Sequence, residues 1–267
     1  MLSAERRNLI LQEAQVKKKV FVNDLSKRFN VSEETIRRDL EKLDEDGFVK
    51  KGYGGAVLNE DYGTDLPLNI RCKTNPEGKS KIADLTEDEI VSGDHIFLDA
   101  SSTTAFISRM LKKKEIAKLS VITNSIENAV TLGSIDGTHV ILTGGTLKYE
   151  SMSLMGAKTL ETIGQYHMDK AFISCNGLDM ESGITEGNDD TVSVKQAAIE
   201  ASDKIYLVVD SEKFGRTSFS QVCDLSRIDV LITDRKPSKE WLDRLKELNI
   251  RIIYPSDGDV TGSEVNK

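Results

Sequence analysis

Cysteine is scarce in this chain, and its few cysteines are not arranged for a shared task. Cys72, Cys175 and Cys223 are far apart, odd in number and form no CxxC pair. Disulfide frameworks and zinc sites need cysteines at short, regular spacings, so neither is expected. We therefore expect free thiols in a cytoplasmic protein.

Histidine and long apolar runs are equally scarce. His95, His139 and His167 stand alone without the spacing of metal ligands, so we expect no metal site and no cofactor. No apolar run approaches the roughly 18 residues that a membrane-spanning helix needs, and the N-terminus lacks the apolar region of a signal peptide. We expect a chain that does not insert into a membrane.

Negative charge is in excess, but it is unevenly distributed along the 267 residues, whose formal net charge is -8. Residues 1–58 contain 12 Lys and Arg against 10 Asp and Glu, a net +2, whereas residues 59–267 contain 24 against 34, a net -10. This split is typical of a DNA-binding unit joined to an acidic body. A unit of +2 neutralises few phosphates, so we expect a homo-oligomer, a dimer or a tetramer, that places several units on one operator.

The segment Asn30 to Asp46 predicts a helix suited to a DNA major groove. Ser32 is a good N-cap for it. The apolar residues recur at helical spacing and predict one buried face: Ile36, Leu40 and Leu43. The outward side chains near the N-terminal end are short or charged: Glu34, Thr35, Arg37 and Arg38. Guanidinium groups there can bind phosphates or guanine edges, although an arginine pair on a helix is often only a solvated face.

The neighbouring segments favour DNA binding over a solvated face. Two further helices are predicted, over Leu2 to Gln15 and Val22 to Phe29, and Gly47 is expected to end the third. The stretch FVKKGYGGAVL that follows predicts a β-hairpin. Residues 1–58 therefore predict a winged helix-turn-helix domain. We expect three residues of the hairpin to touch the DNA backbone: Lys50, Lys51 and Tyr53.

Residues 59–78 are polar, contain Pro67 and Pro76, and predict a linker that leads to a second domain over residues 79–267. In that domain β-branched runs alternate with helices, which predicts an α/β fold with a mainly parallel sheet. The predicted strands are His95–Asp99, Ser120–Thr123, His139–Thr143, Lys170–Ser174, Ile205–Asp210, Val230–Thr233 and Arg251–Tyr254. The predicted helices are Lys79–Val91, Thr103–Leu111, Ile126–Leu132, Ala157–Ile163, Val192–Ser202 and Lys239–Leu248.

Polar residues cluster where the predicted strands end, which is the edge of such a sheet at which ligands bind. Asp99 to Thr104 leads directly into a helix, so hydroxyls and helix N-H groups could hold a phosphate there. Other strand ends supply an amide, a turn and a cation: Asn124, Gly144, Gly145 and Lys213. Simpler interpretations remain open, because the hydroxyls could only cap the helix, the glycines only turn the chain, and the lysine only face solvent. We expect three nearby carboxylates to form a solvated face: Glu186, Asp189 and Asp190.

One combination of these residues resembles the DNA-binding signature of the DeoR family of bacterial transcriptional regulators. The residues that carry the resemblance are Arg7, Val31-Ser32, Thr35-Ile36-Arg37-Arg38-Asp39-Leu40, Leu43, Gly47 and Gly54-Gly55-Ala56. The family often has Arg and His just before the two glycines, where this chain has Lys51, Gly52 and Tyr53. The later blocks LDxSSTT, TNS, TGG and DSEKFG are similar to the family's effector domain, which resembles ribose-5-phosphate isomerase.

The resemblance implies a repressor of a carbohydrate catabolism operon that binds double-stranded operator DNA and a phosphorylated sugar. It implies that the phosphate is held by Asp99, Ser101, Ser102, Thr103 and Thr104. It implies that the sugar is contacted or framed by Asn124, Gly144, Gly145, Lys195 and Lys213. Many relatives have a glycine in the phosphate loop where this chain has Ser101 or Ser102, so the loop would be tighter here. Leu66 to Arg71 would begin the packed part of the second domain.

The alternative is a sugar-phosphate isomerase-type enzyme with an appended DNA-binding module. Such an enzyme needs a positioned carboxylate base beside the reacting carbon, and the spacing of residues marks none. The sequence therefore favours a regulator that is not an enzyme.

Overall fold

The structure is a computed structural model that describes residues 2–59, 67–116 and 118–256. The chain divides into two compact units, Met1–Thr74 and Asn75–Lys267.

The first unit is a winged helix-turn-helix, as predicted. Its elements are α1 Ser3–Lys17, β1 Lys19–Phe21, α2 Val22–Phe29, α3 Glu33–Glu45, β2 Val49–Gly52, β3 Gly55–Leu58 and α4 Leu68–Arg71. The strands form an antiparallel sheet of order β1-β3-β2, in which β2 and β3 are the predicted hairpin. β1 is an addition that the sequence did not predict, because it is only three residues long.

The ends of α3 follow from its sequence. The Ser32 hydroxyl accepts a hydrogen bond from the Thr35 N-H at 3.2 Å, which satisfies one of the donors that the first turn leaves open. Gly47 adopts φ +78° just beyond the helix, a left-handed conformation that glycine favours and that ends the helix. The predicted apolar face is buried in one core with residues of α1, α2 and the sheet.

Two adjacent glycines shape the hairpin. Gly54 has φ +80°, which lets a two-residue loop reverse the chain. A Cβ at Gly55 would lie 2.1 Å from the carbonyl oxygen of Val20, so only glycine lets β3 approach β1 this closely. The Gly-Gly sequence is therefore required by the backbone of the first unit.

The segment after β3 differs from what the sequence predicted. Residues 60–66 of the predicted linker, and so the start of Leu66–Arg71, lie outside the described residues. The short helix α4 belongs to the first unit, where Ile70 is fully buried in the core beside α1. It does not begin the second domain, because its apolar side chain covers the first unit instead.

The second unit is an α/β fold, as predicted. Its first half contains α5 Pro76–Thr86, β4 His95–Leu98, α6 Ser102–Lys114, β5 Ser120–Thr123, α7 Ile126–Leu132, β6 His139–Leu142, β7 Thr146–Lys148, β8 Ser153–Met155 and α8 Ala157–Gly164. Its second half contains β9 Met168–Ile173, β10 Gly177–Asp179, β11 Gly183–Glu186, α9 Asp189–Glu200, β12 Ser202–Val208, β13 Ser220–Cys223, β14 Val230–Ile232, α10 Lys239–Glu247 and β15 Arg251–Ile253.

All seven predicted strands form one parallel sheet of order β15-β14-β12-β9-β4-β5-β6. Successive strand residues point to opposite faces, so Ile96 and Leu98 join the core beneath α5 and α6. Phe97 points the other way, into the core beneath α8, α9 and α10. Helices on both faces explain why these strands are apolar on both sides.

Several predicted boundaries in this unit are wrong. The helix predicted from Lys79 begins at Pro76, where the Asn75 side chain accepts from the Gly78 N-H at 3.1 Å, and ends at Thr86. The helix predicted from Val192 begins at Asp189, because Asn188 is its N-cap, and Ser202 starts the next strand. Two small antiparallel sheets, β7-β8 and β10-β11-β13, were not predicted, because polar residues or glycine interrupt their short strands, which lack the apolar runs of the parallel sheet.

Candidate functional site

The outer side of α3 presents the predicted charged residues to solvent. Arg37 bonds to Glu33 at 2.8 Å, and Arg38 lies 3.4 Å from Glu34, with 77% of the Arg38 side chain exposed. Exposed pairs four residues apart on a helix contribute only a few tenths of a kcal/mol, about 0.3–0.5. Both guanidinium groups can therefore leave their carboxylates for phosphates or base edges. Thr35 is half-buried, and its hydroxyl lies 2.8 Å from that of Ser32.

Asp39, in the middle of the same motif, has a different position. It is 3% exposed and accepts from Arg6 of α1, with Nε to Oδ2 at 2.5 Å and Nη2 to Oδ1 at 3.2 Å. A second arginine, Arg7, places Nη1 3.8 Å from the same carboxylate. The motif thus combines two outward arginines with an inward aspartate that joins α3 to α1. This role was not predicted, although an aspartate flanked by the buried positions Ile36 and Leu40 is a sequence signal for it.

The hairpin of β2 and β3 carries the other residues predicted to bind DNA. Tyr53 is fully exposed at the turn, and Lys50 is exposed on β2. The ammonium of Lys51 lies 2.9 Å from Glu41 of α3, and its backbone N-H donates to Asp44 at 3.1 Å. These contacts fix β2 against the helix close to the turn and leave the turn residue Tyr53 accessible.

In the second unit, Asp99 is the centre of a buried polar cluster at the carboxyl end of β4. Its carboxylate accepts from the backbone N-H groups of Ser101 at 3.0 Å and Ser174 at 2.9 Å. It also bonds to the ammonium of Lys195, which comes from α9. Lys195 donates to the Ser174 carbonyl at 2.7 Å and lies 3.2 Å from Glu186. Three elements and the loop after β9 therefore meet at one buried lysine.

The ion pair between Asp99 and Lys195 determines the protonation state of both groups. Burial by itself would raise the pKa of Asp99, but the Lys195 ammonium and the N-H donors outweigh it and hold that pKa below its usual value. Burial would lower the pKa of Lys195, yet Asp99 and Glu186 raise it. Both groups are therefore charged at neutral pH. The expectation that Glu186 lies on a solvated face is wrong, because it is 4% exposed and paired with Lys195, whereas Asp189 and Asp190 are exposed.

The N-terminus of α6 lies directly against this cluster. The Ser101 hydroxyl caps the helix by accepting from the Thr104 N-H at 3.2 Å. The Thr104 hydroxyl bonds to the Asp99 carbonyl at 2.7 Å and to its carboxylate at 3.0 Å. Thr103 Oγ1 lies 3.5 Å from the Ser174 hydroxyl, and Ser102 begins the helix. The side chains of Ser101 and Thr104 thus hold the loop together, as the simpler interpretation of the hydroxyls required.

The next strand ends complete the edge. Asn124 follows β5 next to Asp99, donates to the Leu154 carbonyl at 3.2 Å, and has a buried side-chain oxygen that accepts no hydrogen bond from the described residues. Gly145 has φ +128°, and a Cβ there would lie 2.5 Å from the Met155 carbonyl oxygen, so it is required for the turn into β7. A Cβ at Gly144 would meet only the Lys158 Cβ, at 4.0 Å, and the Gly144 carbonyl accepts from the Thr159 hydroxyl at 2.7 Å.

Further lysines approach this edge from the loop after β12 and from α5. Lys213 is half-buried, and its charge acts on the buried thiol of Cys175, as that of Lys195 does. Burial raises the pKa of this thiol, so it is neutral at physiological pH. The buried Lys79 of α5, which was not predicted as a site residue, lies 3.9 Å from Asp210. A lysine one turn inside an amphipathic helix gave no signal of this position.

The described residues hold no helix that is both long and apolar enough to cross a membrane. Nor do they bring together three or more side chains that could ligate a metal ion.

Two family models match the chain. The one described as DeoR-like helix-turn-helix domain matches residues 6–62, and the one described as DeoR C terminal sensor domain matches residues 74–235.

Curated proteins match almost end to end. The chain is similar to the HTH-type transcriptional regulator YulB of Bacillus subtilis (strain 168), with 35% identity over 252 residues that cover 94% of this chain and 96% of that protein. It is similar to the Glycerol-3-phosphate regulon repressor of Escherichia coli (strain K12), with 30% identity over 252 residues, 94% of this chain and 99% of that protein. Ribose 5 phosphate isomerase A from Neisseria gonorrhoeae matches 51% of this chain with 52% of its own, at 14% identity and a TM-score of 0.38.

Proposed function

This chain belongs to the DeoR family of transcriptional regulators, and from that membership we propose that it represses a carbohydrate catabolism operon under the control of a phosphorylated sugar. The first unit, Met1–Thr74, would be the DNA-binding domain, and the second unit, Asn75–Lys267, would be the effector domain. One relative is named for a regulon of glycerol 3-phosphate, a small phosphorylated polyol. The observation that carries the proposal is the buried Asp99 cluster against the N-terminus of α6, in a chain that also has an exposed α3.

Operator binding would use the outward side of α3 and the hairpin tip. Arg37 and Arg38 would exchange their exposed carboxylate partners for DNA, and Thr35 and Ser32 allow close approach to the groove. Glu34, once released from Arg38, would accept from cytosine amino groups where the DNA sequence offers them. The hairpin residues Lys50, Lys51 and Tyr53 would contact the backbone.

Effector binding would use the free N-H groups at the start of α6, which suit the oxygens of a phosphate. Asp99 cannot itself hold an anion, because its carboxylate is charged and bound to Lys195. We therefore assign Asp99, Ser101, Thr104 and Lys195 the task of fixing the loop. Direct contacts would fall to the remaining residues of this edge: Ser102, Thr103, Asn124, Gly144, Gly145 and Lys213.

Regulation rather than isomerisation is supported by the same cluster. An isomerase needs a carboxylate that can remove a proton from carbon. Asp99 and Glu186 are both tied to Lys195, and a lowered pKa makes Asp99 a weak base. The effector would then act through differential affinity, by favouring the arrangement of paired DNA-binding domains that fits the operator less well.

A fluorescence anisotropy titration tests the proposal. The full chain is bound to a labelled duplex from upstream of its own operon, and a panel of aldose, ketose and polyol phosphates is added, with the unphosphorylated compounds as controls. We expect at least one phosphate ester to change the DNA affinity by about 5- to 150-fold, without being turned over. Ser102→Ala should weaken that response and leave DNA affinity unchanged. Turnover of a sugar phosphate with no effect on DNA binding would favour the enzyme instead.

A further inference from the structure

The two edges of the seven-stranded sheet differ in how they are protected. β15 begins with Arg251, which is ion-paired with Glu89. The Tyr206 hydroxyl donates to the same Glu89 carboxylate at 3.0 Å. Pro255 follows two residues after the end of β15. Charges and prolines are the usual means of keeping an edge strand from pairing. The opposite edge, β6, has neither: from Thr138 to Thr146 the sequence THVILTGGT contains no charged residue and no proline.

β6 is also poorly covered for a strand of a parallel sheet. Among the strands of this sheet, all of which lie in the described part of the chain, it alone has no fully buried residue. Large apolar side chains are exposed on β6 itself and on the segments next to it in contact or along the chain: Leu142 (41%) on β6, Val130 (73%) on α7, which packs against β6, and Leu147 (49%) and Tyr149 (75%) on and just after β7. Parallel strands are normally covered on both faces, so this edge lacks the cover that such a strand requires.

The backbone of β6 is set to accept another strand. The N-H groups of His139 and Thr143 donate to β5, at 2.8 Å and 3.0 Å. Because alternate residues of a parallel strand bond to the same neighbour, Val140 and Leu142 direct their N-H and C=O groups away from β5. No strand in the described part of the chain pairs with these groups, which form an open row at the edge of the sheet.

We propose that β6 pairs with β6 of a second copy of this chain, and that Val130, Leu142, Leu147 and Tyr149 are covered in the same contact. An antiparallel pair of identical strands has twofold symmetry, so each strand meets its own sequence. A charged strand would place like charges opposite one another, whereas this segment has none to repel. A second copy also supplies the second DNA-binding unit that a net charge of +2 requires.

The position of this contact connects it to the effector site, and this step rests on the proposed function. Gly144 and Gly145 follow β6 directly and lie at the carboxyl edge where the sugar phosphate would bind. A ligand that shifts this turn would therefore shift the end of the pairing strand. Effector binding would change the angle between two copies, and with it the spacing of their DNA-binding units.

Sedimentation equilibrium of the full chain tests the pairing. Leu142→Lys places a charge on the open edge, and Phe219→Lys is the matched control, because Phe219 is 80% exposed and lies outside the segment. We expect Leu142→Lys to weaken association at least tenfold and Phe219→Lys to leave it unchanged. Thermal melting of both variants checks that they are folded. Equal association of the two variants, or a wild type that stays monomeric at concentrations that saturate operator DNA, would overturn the pairing.

Hydrogen exchange gives a second, direct measurement. The Val140 and Leu142 amides should be protected in the wild-type assembly and exchange rapidly in Leu142→Lys. If the amides stay protected when the protein is diluted to monomer, but lose protection in a chain that ends at residue 256, then the chain's own C-terminal segment covers the edge. That result would contradict the proposal.

Operator binding and effector response are measured in parallel. If the protein binds operator DNA and responds to an effector, but Leu142→Lys associates normally, then only the proposed pairing is wrong. If the protein binds no operator DNA but Leu142→Lys fails to associate, then the proposed function is wrong and the pairing is supported.

Discussion

At the scale of single residues, the second unit depends on Lys195. It is 3% exposed, and it holds Asp99, Glu186 and the Ser174 carbonyl together. A buried cation is tolerated only when its partners compensate for lost hydration, and here two carboxylates and a carbonyl do so. The residue looks like a ligand-binding lysine in the sequence, but its bonds are already taken by the protein.

Lys195→Met should therefore destabilise the second unit strongly. Removing one partner of a buried ion pair leaves an uncompensated charge and typically costs about 3–5 kcal/mol. Urea unfolding of the full chain measures the change. Lys213→Met is the control, since this half-buried lysine has no salt bridge among the described residues and should cost less than about 1 kcal/mol. Similar losses in both variants would contradict the assignment.

Asp99 predicts a pH dependence of stability. Its pKa is lowered in the folded state, so its contribution is present above the unfolded value of about 4 and is lost as the pH falls toward the folded value. Asp99→Asn lacks this contribution. The difference in unfolding free energy between wild type and Asp99→Asn should shrink as the pH is lowered from 7 to 3. A difference that stays constant over this range would show that the carboxylate's charge does not matter.

Arg38 predicts the behaviour of the DNA-binding unit. It is the more exposed of the two outward arginines, so Arg38→Ala should weaken operator binding without affecting the fold. A lost bidentate contact to guanine costs about 1–3 kcal/mol. Anisotropy titrations measure it, and Lys27→Ala, on α2, is the control. Unchanged affinity for Arg38→Ala at physiological salt would exclude α3 as the recognition helix.

At the scale of elements, the wing depends on the close approach of β1 and β3. Gly55→Ala would force a Cβ to within 2.1 Å of the Val20 carbonyl oxygen. Overpacking of this kind should destabilise the first unit by about 1–3 kcal/mol or more. Gly52→Ala, three residues earlier, has no atom within 4 Å of the new Cβ. Thermal unfolding should give a lower melting temperature for Gly55→Ala than for Gly52→Ala. Equal melting temperatures would mean that β1 and β3 do not approach each other this closely.

How far the sequence predicted each element depended on its length and its periodicity. α3 and the seven parallel strands have strong apolar patterns, and each lies in or overlaps the range that the sequence predicted, although β12 runs Ser202–Val208 rather than Ile205–Asp210. α4 and the strands β7, β10 and β13 are short and interrupted by polar residues or glycine, so they lack such a pattern, and their existence depends on what packs against them. In the candidate site, the loop at Asp99 was predictable from its hydroxyls, but Lys79 and the burial of Glu186 arise from contacts between distant segments.

At the scale of the whole molecule, DNA affinity should reflect how many copies bind together. The slope of log affinity against log salt is about -0.9 for each phosphate that is neutralised. A Leu142→Lys chain that binds one half-site at a time should show roughly half the wild-type slope. Anisotropy titrations between low and physiological salt measure it, with Phe219→Lys as the control. Identical slopes would mean that both copies reach the operator without the β6 contact.

The buried carboxylate of Asp39 also bears on engineering. Because Arg6 fixes α3 from behind, the orientation of the helix does not depend on the outward residues Thr35, Arg37 and Arg38. These positions can be randomised as a set while Arg6 and Asp39 are retained, and each variant should present its new side chains at the same angle. The module is thus a scaffold on which altered target preference could be selected without rebuilding the protein beneath it.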